Sequence, residues 1–182
     1  KTRPSFKKIL SNSSLRAIFL YRAVAAVGQA SIMGFLSLFI SGSVESGGLG
    51  LPLSVSGFIL SIGQIFSAVM QRPFGDLADR YNKIRLILLG GALSIVGFAT
   101  LPLSRNMWEL LVTSLFWSLG GSIAMPALSA IVAIGGKELG TGSTMAILDT
   151  AMSGGMVVGP MISGLVIDLF GLKATFYVGS VM

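Results

Sequence analysis

Five apolar segments, each about as long as a membrane is thick, constrain this chain more than any other feature of its sequence. A helix needs about 20 predominantly apolar residues to cross the hydrocarbon core of a bilayer, and each segment reaches that length. Because lipid cannot satisfy open backbone groups, such spans are expected to be helical. A sixth apolar segment begins at Ala174 and is expected to be cut short at Met182. The predicted spans are 17–40, 51–71, 84–103, 109–134, 143–167 and the truncated 174–182.

The composition agrees with an integral membrane protein and excludes several kinds of chemistry. Only 11% of the 182 residues are charged and 53% are hydrophobic, whereas a soluble domain carries roughly 25% charged residues. The chain has no cysteine and no histidine. Thiolate metal sites, thiol nucleophiles and imidazole bases are therefore excluded. We expect no catalytic residue, no metal site and no cofactor, and we predict that the chain is not an enzyme.

The basic side chains fall almost entirely on one side of the predicted spans. If the N-terminus is cytoplasmic, ten Lys and Arg lie inside, and only Arg105 and Lys173 lie outside. The positive-inside rule therefore predicts a cytoplasmic N-terminus and insertion in the cell membrane, plasma or inner. Insertion beside anionic lipid explains the net charge of +6, so no nucleic-acid partner is expected. Residues 1–14 are predicted to form a cytoplasmic linker or amphipathic approach to a transmembrane bundle over 15–182.

Two charged and two amide side chains inside the spans are candidates for a cavity. Arg22 in the first span and Asp149 in the fifth lie at similar depth, so they are able to pair. Intramembrane ionisable residues normally face a partner or a water-filled path. Burial of the carboxyl group favours proton uptake and a nearby guanidinium opposes it, which is typical of a proton-coupled switch. Snorkelling of Arg22 and a purely structural ion pair are the alternatives. Gln29 and Gln64 join the candidates because an amide in hydrocarbon needs partners.

Two short motifs are more specific. The segment RPFGDLADRYNKIRL, between the second and third spans, contains Gly75, Asp79 and Arg80, followed by Lys83 and Arg85. We expect it to be a cytoplasmic loop in which glycine permits a tight helix exit and the aspartate caps a neighbouring helix or pairs with a base.

The fifth span contains GGMVVGPMISG. Its Gly155 and Gly159 permit close helix contact, and its Pro160 is expected to bend the helix.

The loop motif resembles the signature loop of the major facilitator superfamily, although Asn82 stands where the family has glycine and Ile84 where it has a base. The fifth-span motif is similar to the glycine–proline signature of the family's antiporters. The fourth span lacks the arginine that first-half members usually carry. The resemblance implies an all-α integral membrane fold, namely a six-helix bundle with its last helix truncated, forming the C-terminal half of a twelve-helix transporter. By that analogy the first, second, fourth and fifth spans line the cavity and the third and sixth lie outside.

Several functions follow from these observations as expectations. The resemblance implies a secondary active transporter that works by alternating access and exports a small organic solute or drug coupled to protons. Its partners would be the substrate, protons, the lipid bilayer and a missing N-terminal six-helix bundle of the same protein. A second hypothesis is a non-transporting assembly partner or half-protein. A third, a lipid-headgroup membrane enzyme, is disfavoured because beyond Asp76 and Asp79 no acid occurs before Glu109, which lies on the opposite side.

Overall fold

The structure, a computed structural model, describes residues 11–137 and 140–182. Within these ranges the chain forms six α-helices and two short 3₁₀ turns, and the first five helices are long and apolar enough to cross a membrane. The predicted linker over 1–14 lies mostly outside the described residues. The helices are α1 Ser13–Ser41, α2 Leu53–Arg80, α3 Lys83–Thr100, α4 Met107–Gly135, α5 Thr141–Phe170 and α6 Leu172–Val181.

Asparagine side chains define where three of these helices begin. Asn12 Oδ1 accepts hydrogen bonds from the backbone N–H groups of Ser14 and Leu15 at the start of α1. Asn106 Oδ1 accepts from the Glu109 N–H at 3.0 Å, and its own amide donates to the Glu109 carboxylate at 2.9 Å. Each cap satisfies backbone donors that have no partner inside the helix. Asn82 performs the same task for α3.

Segment 72–86 is the clearest difference between expectation and structure. It was predicted to be a loop, but α2 continues through Gly75 and Asp79 to Arg80, and only Tyr81 and Asn82 separate α2 from α3. The charged residues mark the end of the apolar segment, and the span was therefore predicted to end there. Arg, Leu and Ala are nevertheless good helix formers, so the backbone remains helical beyond that point. The helix therefore outlasts the apolar segment. Asn82, not an aspartate, supplies the cap.

Small residues set the packing of the bundle. Helix α1 packs along α5, α4 packs along both α2 and α3, and α6 lies against α1, α3 and α5. A Cβ atom at Gly155 would lie 2.5 Å from the Ala23 carbonyl oxygen, so α1 and α5 approach each other to backbone contact. In a membrane, where lipid tails are as apolar as leucine, such close van der Waals packing drives helix association.

A cluster of apolar side chains ties the short α6 to the rest of the bundle. Phe176 of α6 is fully buried, and its ring meets that of Phe39 of α1 edge to face, with centroids 5.1 Å apart. This geometry suits the quadrupoles of the two rings. The cluster also contains Ile32, Leu36, Ile40, Ile59, Phe98, Leu101 and Leu110.

Candidate functional site

The bundle forms a partly open cavity of about 340 Å³ whose walls come from all six helices. This volume lies within the range of about 300–1,000 Å³ that is usual for small-molecule sites. Helix α1 contributes Tyr21, Arg22, Ala25, Ala26, Gln29 and Met33, and α2 contributes Ile59, Leu60, Gly63, Gln64, Ser67 and Gln71. Helix α3 contributes Gly91, Ser94, Ile95 and Phe98, and α4 contributes Trp117, Ser118, Gly121, Ala124, Met125 and Leu128. Helix α5 adds Met152, α6 adds Gly179 and Ser180, and Met182 follows directly after α6.

Arg22 brings a charge to this cavity. Its side chain is 15% exposed, and its Nη2 atom lies 3.5 Å from Asp149 Oδ1. The same Nη2 donates to the Met152 thioether sulfur at 3.3 Å. Arg22 therefore connects α1 to two residues that lie one helical turn apart on α5.

Asp149 occupies a different position from the other three predicted cavity residues. It is 64% exposed in this bundle and is not among the residues of the cavity wall. Arg22, Gln29 and Gln64 all line the wall. Asp149 therefore contacts a residue of the cavity wall, Arg22, but does not itself line the cavity.

The amides and hydroxyls of the wall differ in how they are satisfied. Gln29 Nε2 lies 3.8 Å from the Met33 sulfur, one turn further along α1. Gln64 is exposed, so its amide is accessible. Ser67 Oγ of α2 lies 3.1 Å from Ser122 Oγ of α4, a polar contact between the two helices. The wall thus combines hydroxyls used for helix packing with amides available to a ligand.

Aromatic and thioether side chains make up much of the remaining wall. The rings of Phe98 and Trp117 are 5.1 Å apart and tilted by 39°. Met33, Met125 and Met152 offer flexible, polarisable surface that adapts to ligands of irregular shape. The three methionines were not predicted to line the cavity, because an apolar side chain in an apolar span leaves no compositional signal.

Span three departs from expectation as well. It was predicted to lie outside the cavity, yet Gly91, Ser94, Ile95 and Phe98 of α3 line it. Two residues of α6, which was also predicted to lie outside, line the wall together with Met182, whereas α5 contributes only Met152. That partition followed from the family analogy, whereas in the structure α3 faces the cavity mostly with apolar and small residues.

The predicted gate residues lie at the junction of α2 and α3. Asp79 and Arg80 occupy the last turn of α2, and Lys83 and Arg85 the first turn of α3. All except Lys83 are exposed, and Lys83 is half-buried. Gly75 lies inside α2, where an added Cβ atom would meet nothing within 4 Å, so no tight exit depends on it.

The glycines of the fifth-span motif lie against α1. A Cβ atom at Gly159 would lie 2.6 Å from the Val27 carbonyl oxygen. Ser31 of α1 donates a hydrogen bond to the Gly159 carbonyl at 3.1 Å. Pro160 is exposed, and α5 is helical on both sides of it. The motif therefore joins the two helices that carry Arg22 and Asp149.

A family model described as the Major Facilitator Superfamily matches residues 18–182. The chain belongs to the major facilitator superfamily. This result confirms the resemblance inferred from the loop and fifth-span motifs. Members of the superfamily are membrane transporters and not enzymes, and the described helices agree with an integral membrane protein.

Curated members of the superfamily include close relatives of this chain. The multidrug resistance protein MdtG of Dickeya zeae is 34% identical over 153 residues, which are 83% of this chain and 36% of that protein. MdtG of Serratia proteamaculans is 32% identical over 149 residues, or 81% of this chain and 35% of that protein. The chain thus spans about a third of the length of these relatives.

Solved structures agree with the fold. A transporter of the POT family, crystallised with 5-aminolevulinic acid, matches 93% of this chain and 35% of its own with a TM-score of 0.81. Another, in complex with a thioalcohol-conjugated peptide, gives a TM-score of 0.80. Both are 19% identical to this chain, so they show the fold alone. The predicted all-α membrane bundle, forming part of a major facilitator fold, is confirmed.

Proposed function

We propose that this chain forms one half of a secondary active transporter that exports small organic solutes or drugs across the plasma or inner membrane, coupled to protons. Two pseudo-symmetric bundles of such a transporter rock about a central site, so an N-terminal six-helix bundle of the same protein would complete the cavity. The relatives named multidrug resistance proteins support a drug-like substrate. The asymmetry of Lys and Arg supports a cytoplasmic N-terminus.

The observation that carries the proposal is the Arg22–Asp149 pair beside a cavity. A charge at the centre of a membrane helix costs about 2.5–3.5 kcal/mol on insertion scales, and packing alone does not require one. Here the two charges lie 3.5 Å apart, and the arginine lines the cavity. The pair therefore connects the substrate space with a group that is able to take up a proton.

The same pair suggests how a proton would influence the bundle. With Asp149 ionised, the carboxylate holds the Arg22 guanidinium between α1 and α5. A proton on Asp149 removes that attraction and leaves the guanidinium with the Met152 thioether. Because Gly155 and Gly159 hold α1 and α5 in backbone contact, a change in the pair acts on both helices together. The ionised and the protonated pair would thus correspond to two arrangements of α1 and α5, as alternating access requires.

The junction of α2 and α3 is proposed as part of the cytoplasmic gate. Asp79 and Arg80 are exposed at the end of α2, in a position to pair with groups of the other bundle. Asp79→Asn is expected to slow turnover while leaving substrate binding intact. Unchanged turnover in that variant would contradict the gate assignment.

Proton coupling is tested on the complete protein in proteoliposomes with an imposed pH gradient. Asp149→Asn is expected to abolish flux driven by the gradient, because the amide cannot exchange a proton. Coupling free energies between two sites typically correspond to factors of about 5–150, so the loss should be measurable even if some uncoupled flux persists.

The matched control is Asp168→Asn, because Asp168 is an exposed carboxylate on the same helix. This variant should retain wild-type flux and equal membrane insertion. Gradient-driven flux that survives in Asp149→Asn would contradict the proton role. A complete protein that moves no organic solute under any gradient would overturn the proposed function and favour a non-transporting partner.

A further inference from the structure

We infer that this cavity selects small organic anions with a planar aromatic body, and not lipophilic cations. The inference rests on the proposed function, because it assigns the substrate class of the same cavity. It comes from the charge of the wall, the donors that Arg22 presents and the side chains that surround it.

The wall of the cavity carries one positive charge, and the carboxylate that pairs with it is not part of the wall. Arg22 is the one formally charged side chain among the described lining residues, which include neither Asp nor Glu. Its partner Asp149 is 3.5 Å away but is not among the lining residues. A cation entering the cavity would meet the guanidinium first, with no lining carboxylate to balance its charge. A like charge beside the guanidinium disfavours the binding of a cation in a partly desolvated site.

The Arg22 guanidinium also has N–H donors available for a ligand. An arginine carries five N–H donors in a planar fork. Within the described residues, the contacts of Arg22 involve Nη2 alone, which meets a carboxylate oxygen at 3.5 Å and a thioether sulfur at 3.3 Å. A thioether is a weak acceptor. A carboxylate, phosphonate or sulfonate of a ligand would accept from the fork in bidentate geometry, which is the strongest pairing available to arginine.

The surrounding wall suits the rest of such a molecule. Tyr21 neighbours Arg22 on α1, and the Phe98–Trp117 pair provides flat aromatic surface on α3 and α4. Met33 and Met125 supply adaptable apolar surface. The amides of Gln29 and Gln64 donate to polar substituents, and the volume of about 340 Å³ accommodates a ligand of one or two rings.

The inference is tested with three probes that share a scaffold and differ in charge. The affinities of 2-naphthoate, 2-naphthamide and 2-naphthylmethylammonium for the complete protein are measured by calorimetry in nanodiscs at pH 7. The naphthoate should bind about 10- to 100-fold more tightly than the neutral amide, the range expected for a charge-assisted hydrogen bond. The ammonium should bind more weakly than the amide.

Variants of Arg22 separate its charge from its shape. Arg22→Gln should remove the preference for naphthoate while leaving naphthamide affinity close to wild type, which also reports that the cavity is still formed. Arg22→Lys should retain part of the preference, since it keeps the charge and loses the fork. The control is Arg16→Gln, an exposed arginine on the same helix that does not line the cavity; it should leave all three affinities unchanged.

The outcomes distinguish this inference from the proposed function. If the complete protein transports the probes but binds the ammonium as tightly as the naphthoate, the substrate class is wrong and the transporter assignment stands. An unchanged order of affinities in Arg22→Gln would also overturn the inference. If Arg22→Gln does not fold, the order of the three affinities in the wild-type protein still tests the inference. Binding of naphthoate without transport of any probe would support the ligand class and contradict the transporter.

Discussion

Gly90 of α3 and Gly120 of α4 face each other where the backbones of the two helices come into direct contact. A Cβ atom at Gly90 would lie 2.5 Å from the Gly120 carbonyl oxygen, and one at Gly120 would come still closer to the Gly90 carbonyl. Neither helix has room to yield locally, because backbone meets backbone. The contact holds α3 against α4 and so determines where Ser94 and Trp117 stand in the cavity wall.

Gly120→Ala is therefore expected to push α3 and α4 apart and lower the free energy of unfolding. Overpacking of this kind costs about 1–3 kcal/mol. The measurement is the thermal unfolding midpoint of the purified complete protein in detergent. A wider separation of the helices should also weaken ligand binding in the cavity.

The control for this prediction is the neighbouring glycine. A Cβ atom at Gly121 would meet nothing within 4 Å, so Gly121→Ala should be neutral or raise stability by up to about 1 kcal/mol through helix propensity. Equal effects of the two substitutions would show that the contact between α3 and α4 is looser than the structure has it.

A second prediction concerns the contact between α1 and α5. Gly159→Ala should destabilise the bundle by about 1–3 kcal/mol, because its Cβ would lie 2.6 Å from the Val27 carbonyl oxygen. The shift would also stretch the hydrogen bond from Ser31 to Gly159. Gly142→Ala, in the exposed first turn of the same helix, is the matched control, since an added Cβ there meets nothing within 4 Å. A smaller loss of stability in Gly159→Ala than in Gly142→Ala would contradict the assignment.

The fold class was predictable because lipid restricts the choices of the chain. Segments of about 20 apolar residues have to be helices, and their number determines the class of bundle. The ends of the helices were harder to predict, because hydropathy reports where lipid ends and not where the backbone stops being helical. Asp79 and Arg80 illustrate the difference, since they lie beyond the apolar segment yet inside α2.

The cavity was only partly predictable for a geometric reason. Ser61, Gln64, Ala68 and Gln71 of α2 share one face of the helix by their spacing, yet only Gln64 and Gln71 line the wall. Helical periodicity relates residues on one helix but does not define the rotation of that helix against its neighbours. Phe98 and Met152 show the other reason why wall residues were missed. An apolar residue that lines the cavity cannot be distinguished in the sequence from any other apolar residue of a membrane span. Their identity depends on packing that no single segment encodes.

A third prediction tests the short connection between α2 and α3. Asn82 Oδ1 accepts from the backbone N–H groups of Ile84 and Arg85 at 3.0 and 3.4 Å. Asn82→Ala removes both bonds and should lower stability by about 0.5–2 kcal/mol, measured as a shift in the thermal midpoint. Asn82→Ser and Asn82→Asp should recover most of the loss, because each keeps an acceptor. If both behave like the alanine variant, the cap does not stabilise α3.

The final prediction distinguishes packing from ligand binding for the serines of α2 and α4. Ser67 lines the cavity, whereas Ser122 is buried and lies 3.1 Å from it, so their contact joins the two helices. A double-mutant cycle with Ser67→Ala and Ser122→Ala should give a coupling energy of about 0.6 kcal/mol, the average for hydrogen bonds between membrane helices. Ser118→Ala is the comparison, because Ser118 lines the wall from the same helix as Ser122.

If the serines serve packing, the Ser67 and Ser122 variants lower the unfolding midpoint and leave naphthamide affinity unchanged. A loss of affinity at unchanged stability would instead assign Ser67 to the ligand, and coupling near zero would exclude the hydrogen bond.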